Sequence, residues 1–357
     1  MLRDRSGMAL ILTLLAVSFM VAVTVHLSSS VNWQMQAAAN QGDLVQLDAM
    51  LLSGLHLAQA ALLADQQENK QDSAFDSWGS LDNEAVTALF PGGTMNIEIT
   101  DLSGLLQVNA LVLTAEEKKA QDLENKKIAA QKKKDKKANT LQKKDKEKQQ
   151  RELWQRFLRA AGLEDETEIV TLLDSLADWI DTDDEERENG AELGYYSSQS
   201  PSYKAANRPV MLTDELLLVK GWKKVLGGQE ETDSDQPAIN IMTYLTAAGN
   251  EGKININTAP PLVLHALHEQ MTKELAASLV EFRQDEANKD KLEQADWYKQ
   301  VPGWPGDISL DQDLLTVSST WFKVKVTAEY KGLQRSGEGL LHRLSTQEQE
   351  LLWWKVN

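Results

Sequence analysis

The 357-residue sequence contains no cysteine, which excludes both a disulfide framework and thiolate catalysis. Charge is absent from a long N-terminal stretch, because no Asp, Glu, Lys or Arg occurs between Ser6 and Gly42, and no proline precedes Pro91. Basic residues are in the minority, and the formal net charge of −17 argues against nucleic-acid binding as the main task. These absences direct attention to an uncharged N-terminal segment and an acidic remainder.

The uncharged segment predicts a membrane-spanning helix. Residues 8–27 read MALILTLLAVSFMVAVTVHL, and about 20 residues at ~1.5 Å each span the ~30 Å hydrocarbon core of a bilayer. Arg3 and Arg5 on the short N-terminal flank should stay in the cytoplasm. The rest of the chain would then face the periplasm from a single-pass inner-membrane anchor. A secretory signal is the alternative, but its apolar region is shorter, and residues 28–30 (SSS) form only a weak cleavage site.

The helical pattern continues beyond the membrane segment. Apolar residues recur mostly at three- and four-residue steps from Val31 to Leu62, in a region without proline. One helix is therefore predicted from residue 8 to residue 64, on the order of 80 Å long. Its first half would lie in lipid, and its second half would pack on a globular head.

Strands are predicted on both sides of a helical block. Residues 94–100 (TMNIEIT) alternate apolar and polar side chains, and residues 105–112 are predicted to complete a hairpin through the turn at 101–104. Helices are expected at 153–160, 168–180, 214–219, 260–267 and 272–282, and further strands at 321–330, 337–343 and 351–356. The order predicts an α+β head with an all-α domain inserted into it.

A lysine-rich segment separates the first strands from the helical block. Residues 116–151 carry 14 Lys and Arg against 7 Asp and Glu, with almost no large apolar side chain. This composition is typical of a solvated helix or a disordered insertion. Nucleic-acid or lipid binding is the alternative, which the interleaved acids and missing aromatics make weak.

An acidic stretch, residues 178–192, is the candidate metal site. Hard divalent cations take several oxygen ligands, and calcium tolerates irregular geometry. Asp181, Asp183, Glu185 and Glu192 match the first, third, fifth and twelfth positions of an EF-hand loop, but Glu186 stands where the turn requires glycine. A structural calcium ion on these four side chains is the preferred interpretation. A solvated acidic loop and a catalytic carboxylate pair are the alternatives, and zinc is disfavoured because no His or Cys is near.

Motifs of catalysis are missing. The sequence has no Gly-x-Ser-x-Gly, no phosphate loop and no His-Glu-x-x-His, and its 5 histidines make no ligand constellation. His265 and His268 are three residues apart on one predicted helix and could share a metal, but placement in the core or on the surface is the favoured interpretation. Residues 254–267 resemble the entry of a helix-hairpin-helix motif, but residues 267–273 (LHEQMTK) lack the glycines whose amides would hold phosphate. We therefore expect neither an enzyme nor a nucleic-acid-binding protein.

The N-terminus resembles the prepilin leader of type IV pilins and pseudopilins. Arg3, Arg5 and Gly7 precede the apolar segment that begins at Met8. This resemblance implies that prepilin peptidase cuts between Gly7 and Met8 and methylates the new amine of Met8. Most pilins carry glutamate at the fifth mature position, whereas this chain has Leu12. A carboxylate is costly in lipid without a partner, so leucine favours a subunit at the apex, with no neighbour ahead of it.

Three further segments resemble the minor pseudopilin K family of the type II secretion system. They are residues 176–207 (LADWIDTDDEERENGAELGYYSSQSPSYKAAN), 101–109 (DLSGLLQVN) and 253–260 (KININTAP). The family implies a pilin-like fold, in which a long N-terminal transmembrane helix packs on an antiparallel sheet, with an inserted all-α domain. It also implies calcium in the head and a tip complex with minor pseudopilins I and J that nucleates and caps the pseudopilus. A type IV pilus minor pilin or adhesin, and a calcium-dependent periplasmic enzyme, remain alternatives.

The predicted domain organisation follows from these segments. It comprises a leader (1–7), the long helix (8–64), a first part of the head (65–113), the lysine-rich insertion (114–152), an all-α domain of helix-hairpin-helix or SAM-like type (153–310), and the C-terminal strands of the head (311–357).

Overall fold

The computed structural model describes residues 6–113, 146–226, 239–345 and 348–357. Its first element is helix α1 (Ser6–Glu68), which confirms the single long helix predicted for residues 8–64. The N-terminal half of α1 exposes apolar side chains, whereas Leu47, Leu51, Leu55 and Leu62 are buried in the head. The helix therefore has two halves in different environments, as its composition indicates.

The head is built on a four-stranded antiparallel sheet. Its strands are β1 (Gly93–Asp101), β6 (Trp321–Tyr330), β7 (Leu333–Ser345) and β8 (Glu348–Val356), in the order β1-β6-β7-β8. Lys331 and Gly332 join β6 to β7, and both have positive φ angles (50° and 79°), as a two-residue type I′ hairpin requires. The predicted C-terminal strands and the turn at 331–332 are confirmed.

Helix α1 covers one face of this sheet. Alternate residues of β6, including Phe322, Val324 and Val326, are buried on the same side. Gly54 of α1 lies against this face, and a Cβ atom there would meet Val326 at 2.5 Å. Glycine is therefore needed for the close approach of helix and sheet.

The predicted hairpin at residues 94–112 is wrong in its second half. Strand β1 instead pairs with the distant β6, with Gly93 opposite Tyr330. Beyond the turn, β2 (Leu106–Gln107) pairs in parallel with β3 (Leu245–Thr246), and a 3-10 turn follows at Val108–Leu111. Residues 106–111 are all buried. They cannot form the half-exposed second strand of a hairpin, because both of their faces pack in the inserted domain.

The inserted domain contains short helices and 3-10 turns around one apolar core. The helices are α3 (Lys146–Ala160), α4 (Glu166–Ile180), α5 (Leu193–Ser197), α6 (Trp222–Leu226), α7 (Pro261–Ala266) and α8 (Lys273–Gln284). The 3-10 turns are Thr213–Leu218, Ile241–Tyr244, Glu286–Glu293, Trp297–Gln300 and Gln312–Leu314. Strand β4 (Ile254–Asn255) pairs in parallel with β5 (Leu315–Thr316).

Two predicted boundaries in this domain are corrected. Residues 146–152 lie in helix α3, whereas residues 114–152 were expected to form a solvated insertion. Gln149 and Gln150 are buried, and Gln150 Nε2 donates to the carbonyl oxygen of Gly252 at 2.6 Å. The helix expected at 214–219 is a 3-10 turn. The rest of the lysine-rich insertion, and most of the leader, lie outside the described residues.

One short helix was not predicted. Helix α2 (Asn83–Ala88) precedes β1 and begins with Asp82, whose carboxylate accepts hydrogen bonds from the amides of Glu84 and Ala85 at 3.0 Å. It lies along the outer edge of β1.

Candidate functional sites

The N-terminal half of α1 is the candidate membrane anchor. Within the described residues one helix is long and apolar enough to cross a bilayer, and its most apolar window has a mean hydropathy of 2.6 with no buried residue. Met8 is 64% exposed, and Leu12 is exposed to the same degree. So apolar a surface is unfavourable in water, and a lipid bilayer is the environment that suits it.

The described end of the leader, Ser6 and Gly7, forms the start of this helix. Gly7 and Met8 lie in the first turn of α1, which begins at Ser6. Leu12 follows one turn after Met8 on the same exposed surface. The predicted cleavage between Gly7 and Met8, and the methylation of Met8, remain predictions.

A cluster of buried charges follows α4, and we call Asp178, Asp181, Arg187 and Glu192 the α4 cluster. Asp178 is completely buried, and its carboxylate accepts from Arg187 Nη1 at 2.6 Å and from the Ala191 amide at 2.8 Å. Arg187 Nη1 also donates to Asp181 Oδ2 at 2.5 Å. The loop after α4 therefore turns back and places the guanidinium of Arg187 at the end of the helix.

Gly190 makes this return possible. A Cβ atom at Gly190 would lie 1.8 Å from Asp178 Oδ2. The lack of a side chain lets the backbone approach Asp178 closely enough for the next amide, that of Ala191, to donate to it. Lys220 Nζ donates to the carbonyl oxygen of Gly190 at 2.7 Å, which fixes the loop from outside.

Glu192 differs from the other members of the cluster. It is 4% exposed, yet neither of its carboxylate oxygens accepts a hydrogen bond from any described residue. Burial first, and then repulsion from the charges of Asp178 and Asp181, raises the pKa of Glu192 to about 7. Asp181 also has one buried oxygen, Oδ1, without a hydrogen-bond donor. Buried carboxylate oxygens without donors are suited to binding a hard cation.

The four predicted calcium ligands are only partly brought together. Asp181 and Glu192 are buried, whereas Asp183 and Glu185 are exposed. Asp181 and Asp183 line the same cleft of about 490 Å³ between the inserted domain and Trp321 of the sheet. In the described part of the chain, no three of the four side chains have carboxylate oxygens within 4.8 Å of one another. The buried pair fits a cation better than the exposed pair.

Aromatic residues of the same segment hold its shape. Trp179 packs edge-on against Tyr196 with ring centroids 5.1 Å apart, and Tyr203 lies 5.3 Å from Tyr196. Tyr203 Oη donates to the carbonyl oxygen of Leu218 at 2.8 Å. Asn207, in the left-handed region at φ 45°, donates through Nδ2 to the Asp183 carbonyl oxygen at 2.9 Å. Residues 176–207 thus fold as one unit around the acidic loop.

A second group of buried carboxylates joins α1, the sheet and the inserted domain. We call Asp65, Asp72, Asp76, Asp101 and Arg343 the junction cluster. Three of its members, Asp65, Asp72 and Asp76, have carboxylate oxygens within 4.8 Å of one another.

Arg343 of β7 is the cation of the junction cluster. Its Nη1 donates to Asp72 Oδ1 at 2.8 Å, and its Nη2 donates to the Leu62 carbonyl oxygen of α1 at 3.1 Å. Nη2 also lies 3.5 Å from Asp65 Oδ2. The guanidinium stacks over Phe322 at 4.6 Å from the ring centroid. One side chain therefore ties the end of α1 to the sheet.

Asp101 connects the same cluster to the inserted domain. Its Oδ2 accepts from Ser319 Oγ at 2.6 Å, from Thr258 Oγ1 at 2.5 Å and from Asn255 Nδ2 at 3.1 Å. Asn255 Nδ2 also lies 3.1 Å from the carbonyl oxygen of Asp72. The polar residues of two segments noted in the sequence, 101–109 and 253–260, therefore meet at this point.

Burial raises the pKa of the junction carboxylates. The pKa of Asp65 rises to about 7, through burial first and repulsion from Asp76 and Asp72 second, against the opposing effect of Arg343. The pKa of Asp101 rises to about 6 because burial outweighs its hydrogen bonds from Ser319 and Thr258. The pKa of Asp72 is also raised by burial.

Sequence reasoning missed the junction cluster and Arg187. Asp65, Asp72 and Asp76 are close in the sequence, but Asp101 and Arg343 are far from them, so the proximity of the whole cluster had no local signal. Asp101, Asn255 and Thr258 did lie in segments that stood out, but Asp65, Asp72, Ser319 and Arg343 did not. Arg187 could have been found, because it is a basic residue within the acidic stretch 178–192.

The fold and these sites define a class of protein. A long helix with an exposed apolar half packs its other half on an antiparallel sheet, and a helical domain is inserted between the strands. This is a protein of the pilin-like fold class, with one N-terminal helix that is long and apolar enough to serve as a membrane anchor.

Comparisons with known proteins agree on the family. Two family models described as "Type II secretion system (T2SS), protein K" match residues 104–226 and 254–318, which together exceed half of the chain. The chain belongs to the type II secretion system protein K family. Its similarity to the protein K of Pseudomonas aeruginosa is 28% identity over 87% of this chain and 81% of that protein. The protein K of Aeromonas hydrophila is 25% identical over 92% of this chain and 89% of its own length.

A solved structure supports the fold. A chain of the crystal structure of the GspK-GspI-GspJ complex from the type 2 secretion system of enterotoxigenic Escherichia coli matches with a TM-score of 0.58. The match covers 90% of this chain and 99% of that chain, at 17% identity. At this identity the likeness concerns the fold, and it confirms the predicted pilin-like architecture with an inserted helical domain.

Proposed function

We propose that this chain is the minor pseudopilin at the tip of a type II secretion pseudopilus, where it nucleates and caps the filament that drives protein export across the outer membrane. The observation that carries the proposal is family membership combined with an apolar helix whose first half is exposed and whose second half packs on a head. Such a helix can pack against equivalent helices of neighbouring subunits in the membrane. The role is structural, so no catalytic residues are assigned.

The inserted domain explains a place at the tip. Its described residues include 146–226 and 239–318, beside a head that otherwise consists of α1, α2 and four strands. A domain of this size widens the head and would prevent another subunit from stacking above it. Leu12 supports the same position, because a subunit with no neighbour ahead has no N-terminal amine for a glutamate to neutralise.

The partners of this role are minor pseudopilins I and J. The solved complex with the matching fold contains GspK together with GspI and GspJ. By analogy, α1 of this chain would lie beside the α1 helices of proteins I and J, with its head in the periplasm and its N-terminus in the cytoplasm. Prepilin peptidase would process the leader between Gly7 and Met8.

Mass spectrometry of the mature N-terminus tests the pathway. The expected product begins at N-methylated Met8, and a Gly7→Val variant should keep its leader. A mature protein that begins after residue 27 and is free in the periplasm would contradict the proposal.

Co-purification with proteins I and J of the same organism tests the partners. A Leu12→Glu variant tests the apex position, because it is predicted to lose protein export.

Calcium is proposed as a structural ion of the α4 cluster. Glu192 and Asp181 would supply the buried oxygens, and Asp183 the next ligand from the shared cleft. Glu185 is exposed and would contribute least. Calcium would there neutralise carboxylates that Arg187 balances only in part. Calorimetric titration of the purified protein with calcium, after chelator treatment, tests this directly.

A further inference from the structure

The two edges of the head sheet are treated differently. The outer edge of β1 is closed by side chains of α2. Asn83 Oδ1 accepts from the Ile97 amide at 2.8 Å, and Asn83 Nδ2 donates to the Ile97 carbonyl oxygen at 3.4 Å. Thr87 Oγ1 accepts from the Met95 amide at 3.1 Å and donates to the Met95 carbonyl oxygen at 3.0 Å. Four outward-facing backbone groups of β1 are thereby satisfied.

The spacing of helix and strand makes this possible. Asn83 and Thr87 are four residues apart on α2, a rise of about 6 Å, and Met95 and Ile97 are two residues apart on a strand, a rise of about 6.6 Å. The two side chains therefore replace the hydrogen bonds of a neighbouring strand. An edge that is open to other chains promotes unwanted association, and α2 removes that risk at β1.

The outer edge of β8 has no such cover among the described residues. Asn357 and Ser336 exchange both backbone hydrogen bonds, at 2.8 Å and 3.4 Å, so they form a hydrogen-bonded pair of the β7–β8 ladder. Because successive residues alternate, the amides and carbonyls of Val356 and Trp354 point away from β7. β8 is the last strand in the sheet order. The open edge thus offers four backbone groups, as β1 would without α2.

Apolar side chains surround this open edge. Leu351 and Val356 lie on the α1 side of the sheet, where they pair with Leu341 and Gly337, and they are 37% and 36% exposed. Trp353 lies on the opposite side and is 37% exposed. The apolar surface therefore continues around the edge strand on both faces, which a strand in permanent contact with water avoids.

Opposite charges at the two ends of β8 favour one charge order in a strand that pairs with this edge. Glu348 and Glu350 are exposed at its beginning, and Lys355 is exposed near its end. An antiparallel strand laid beside β8 would need a basic group near its own C-terminus and an acidic group near its N-terminus. Opposite charges on directly facing strand positions are favourable.

We propose that the outer edge of β8 binds an extended segment of another polypeptide as a fifth, antiparallel strand. The segment would carry apolar side chains at alternate positions, an acidic residue in its N-terminal half and a basic residue in its C-terminal half. Main-chain hydrogen bonds to Trp354 and Val356 would provide affinity, and the apolar and charged side chains would select the sequence. The proposal does not depend on the position of the chain in a filament.

A designed peptide tests the proposal. The probe is a fluorescein-labelled octapeptide of alternating valine and threonine, in which glutamate replaces the second residue and lysine the seventh. Its binding to the full chain in detergent is followed by fluorescence anisotropy. Val356→Pro removes the outward amide and places a ring at the edge, while the pairing of Lys355 and Asn357 with β7 is kept. We expect saturable binding to the wild type that this variant weakens by at least about tenfold.

Val356→Ala is the matched control, because it removes the side chain and keeps the amide, and it should stay within about threefold of the wild type. Hydrogen exchange on the wild type gives an independent readout should the proline variant unfold. The peptide should slow exchange at Trp354 and Val356 and leave Lys355 unchanged. Equal affinity for the wild type and Val356→Pro, or no slowing at these amides, would overturn the proposal. So would self-association of the wild type that Val356→Pro abolishes, since the occupant would then be a second copy.

Discussion

The α4 cluster and the junction cluster both gather buried carboxylates around one arginine, but they are completed in different ways. At the junction, Arg343 contacts two carboxylates, and Ser319, Thr258 and Asn255 supply further donors to Asp101. In the α4 cluster, Arg187 contacts Asp178 and Asp181, and no described residue donates to Glu192. The protein itself satisfies most of the first cluster and leaves one carboxylate of the second for another cation.

The two clusters take their residues from different parts of the chain, which accounts for this difference. The junction cluster takes members from α1, the loop after it, β1 and β7, so it forms only when the whole head has folded. The α4 cluster lies within 15 consecutive residues, 178–192, and depends mainly on one loop. We therefore expect the junction to govern the stability of the head and the α4 cluster to respond to ions.

The largest effect is expected from Arg343→Met. This change leaves Asp65 and Asp72 buried without their cation, which should lower the free energy of unfolding by about 3–5 kcal/mol. Urea unfolding of the purified full chain, followed by tryptophan fluorescence, measures it.

Arg335→Met is the matched control, on the same strand. Arg335 pairs with Asp48 at side-chain exposures of 30% and 48%, so its loss should cost only about 0.2–1 kcal/mol. If the two variants lose the same amount, the junction has no special role in holding the head together.

Calcium should stabilise the protein through the α4 cluster alone. At a free calcium concentration about 100 times the dissociation constant, the gain in unfolding free energy is about 2.7 kcal/mol. Differential scanning fluorimetry with calcium and with chelator measures the difference. We expect Glu192→Gln and Asp181→Asn to remove it.

Asp65→Asn provides the comparison for calcium. It alters the junction cluster, so the calcium-dependent gain in melting temperature should persist at its wild-type size. A calcium response that disappears in Asp65→Asn and survives in Glu192→Gln would place the ion at the junction instead.

Acidity should stabilise both clusters when calcium is absent. The pKa values of Asp65 and Glu192 are raised to about 7 in the folded protein, so the folded state binds extra protons. The resulting stability is fully present below about pH 4 and is lost as pH rises through about 7, so the melting temperature should fall over this range. Melting curves between pH 5 and pH 8 measure this loss.

The contribution of each cluster to the pH dependence of the melting temperature can be removed separately. Asp65→Asn and Glu192→Gln should each flatten the dependence, and calcium should mask only the contribution of Glu192. A dependence that neither variant changes would assign the titration to other groups.

The smallest expected effect is on calcium affinity, and it distinguishes Glu185 from Glu192 as ligands. Glu185 is exposed, whereas Glu192 is buried. Glu185→Gln should change calcium affinity by less than about threefold, in keeping with an exposed, screened charge. Isothermal titration calorimetry distinguishes this from the loss expected for Glu192→Gln. Equal losses would restore the set of four ligands expected from the sequence.

Local patterns predicted some elements well. Residues 8–64, 321–330 and 331–332 show helical spacing, strict alternation and turn residues, and the structure has α1, β6 and the type I′ hairpin there. The second strand expected at 105–112 failed because an apolar run does not reveal which surface will bury it. The candidate calcium site was found as a dense run of acids, but spacing alone did not distinguish buried Glu192 from exposed Glu185.

By itself, the sequence determined the anchor, the long helix, the acidic loop and the family. The first three depend on composition or on short-range periodicity, which the chain carries whatever its tertiary arrangement. The family was indicated by the resemblance of the leader and of three local segments. Only the tertiary structure decided that β1 pairs with β6, that Arg343 meets Asp72 and Asp65, and that α2 closes one sheet edge while no described residue covers the outer edge of β8. The contacts of β1 with β6 and of Arg343 join residues more than 200 positions apart. Even the nearer contacts of α2 with β1 are selected by the packing of the head rather than by any local preference.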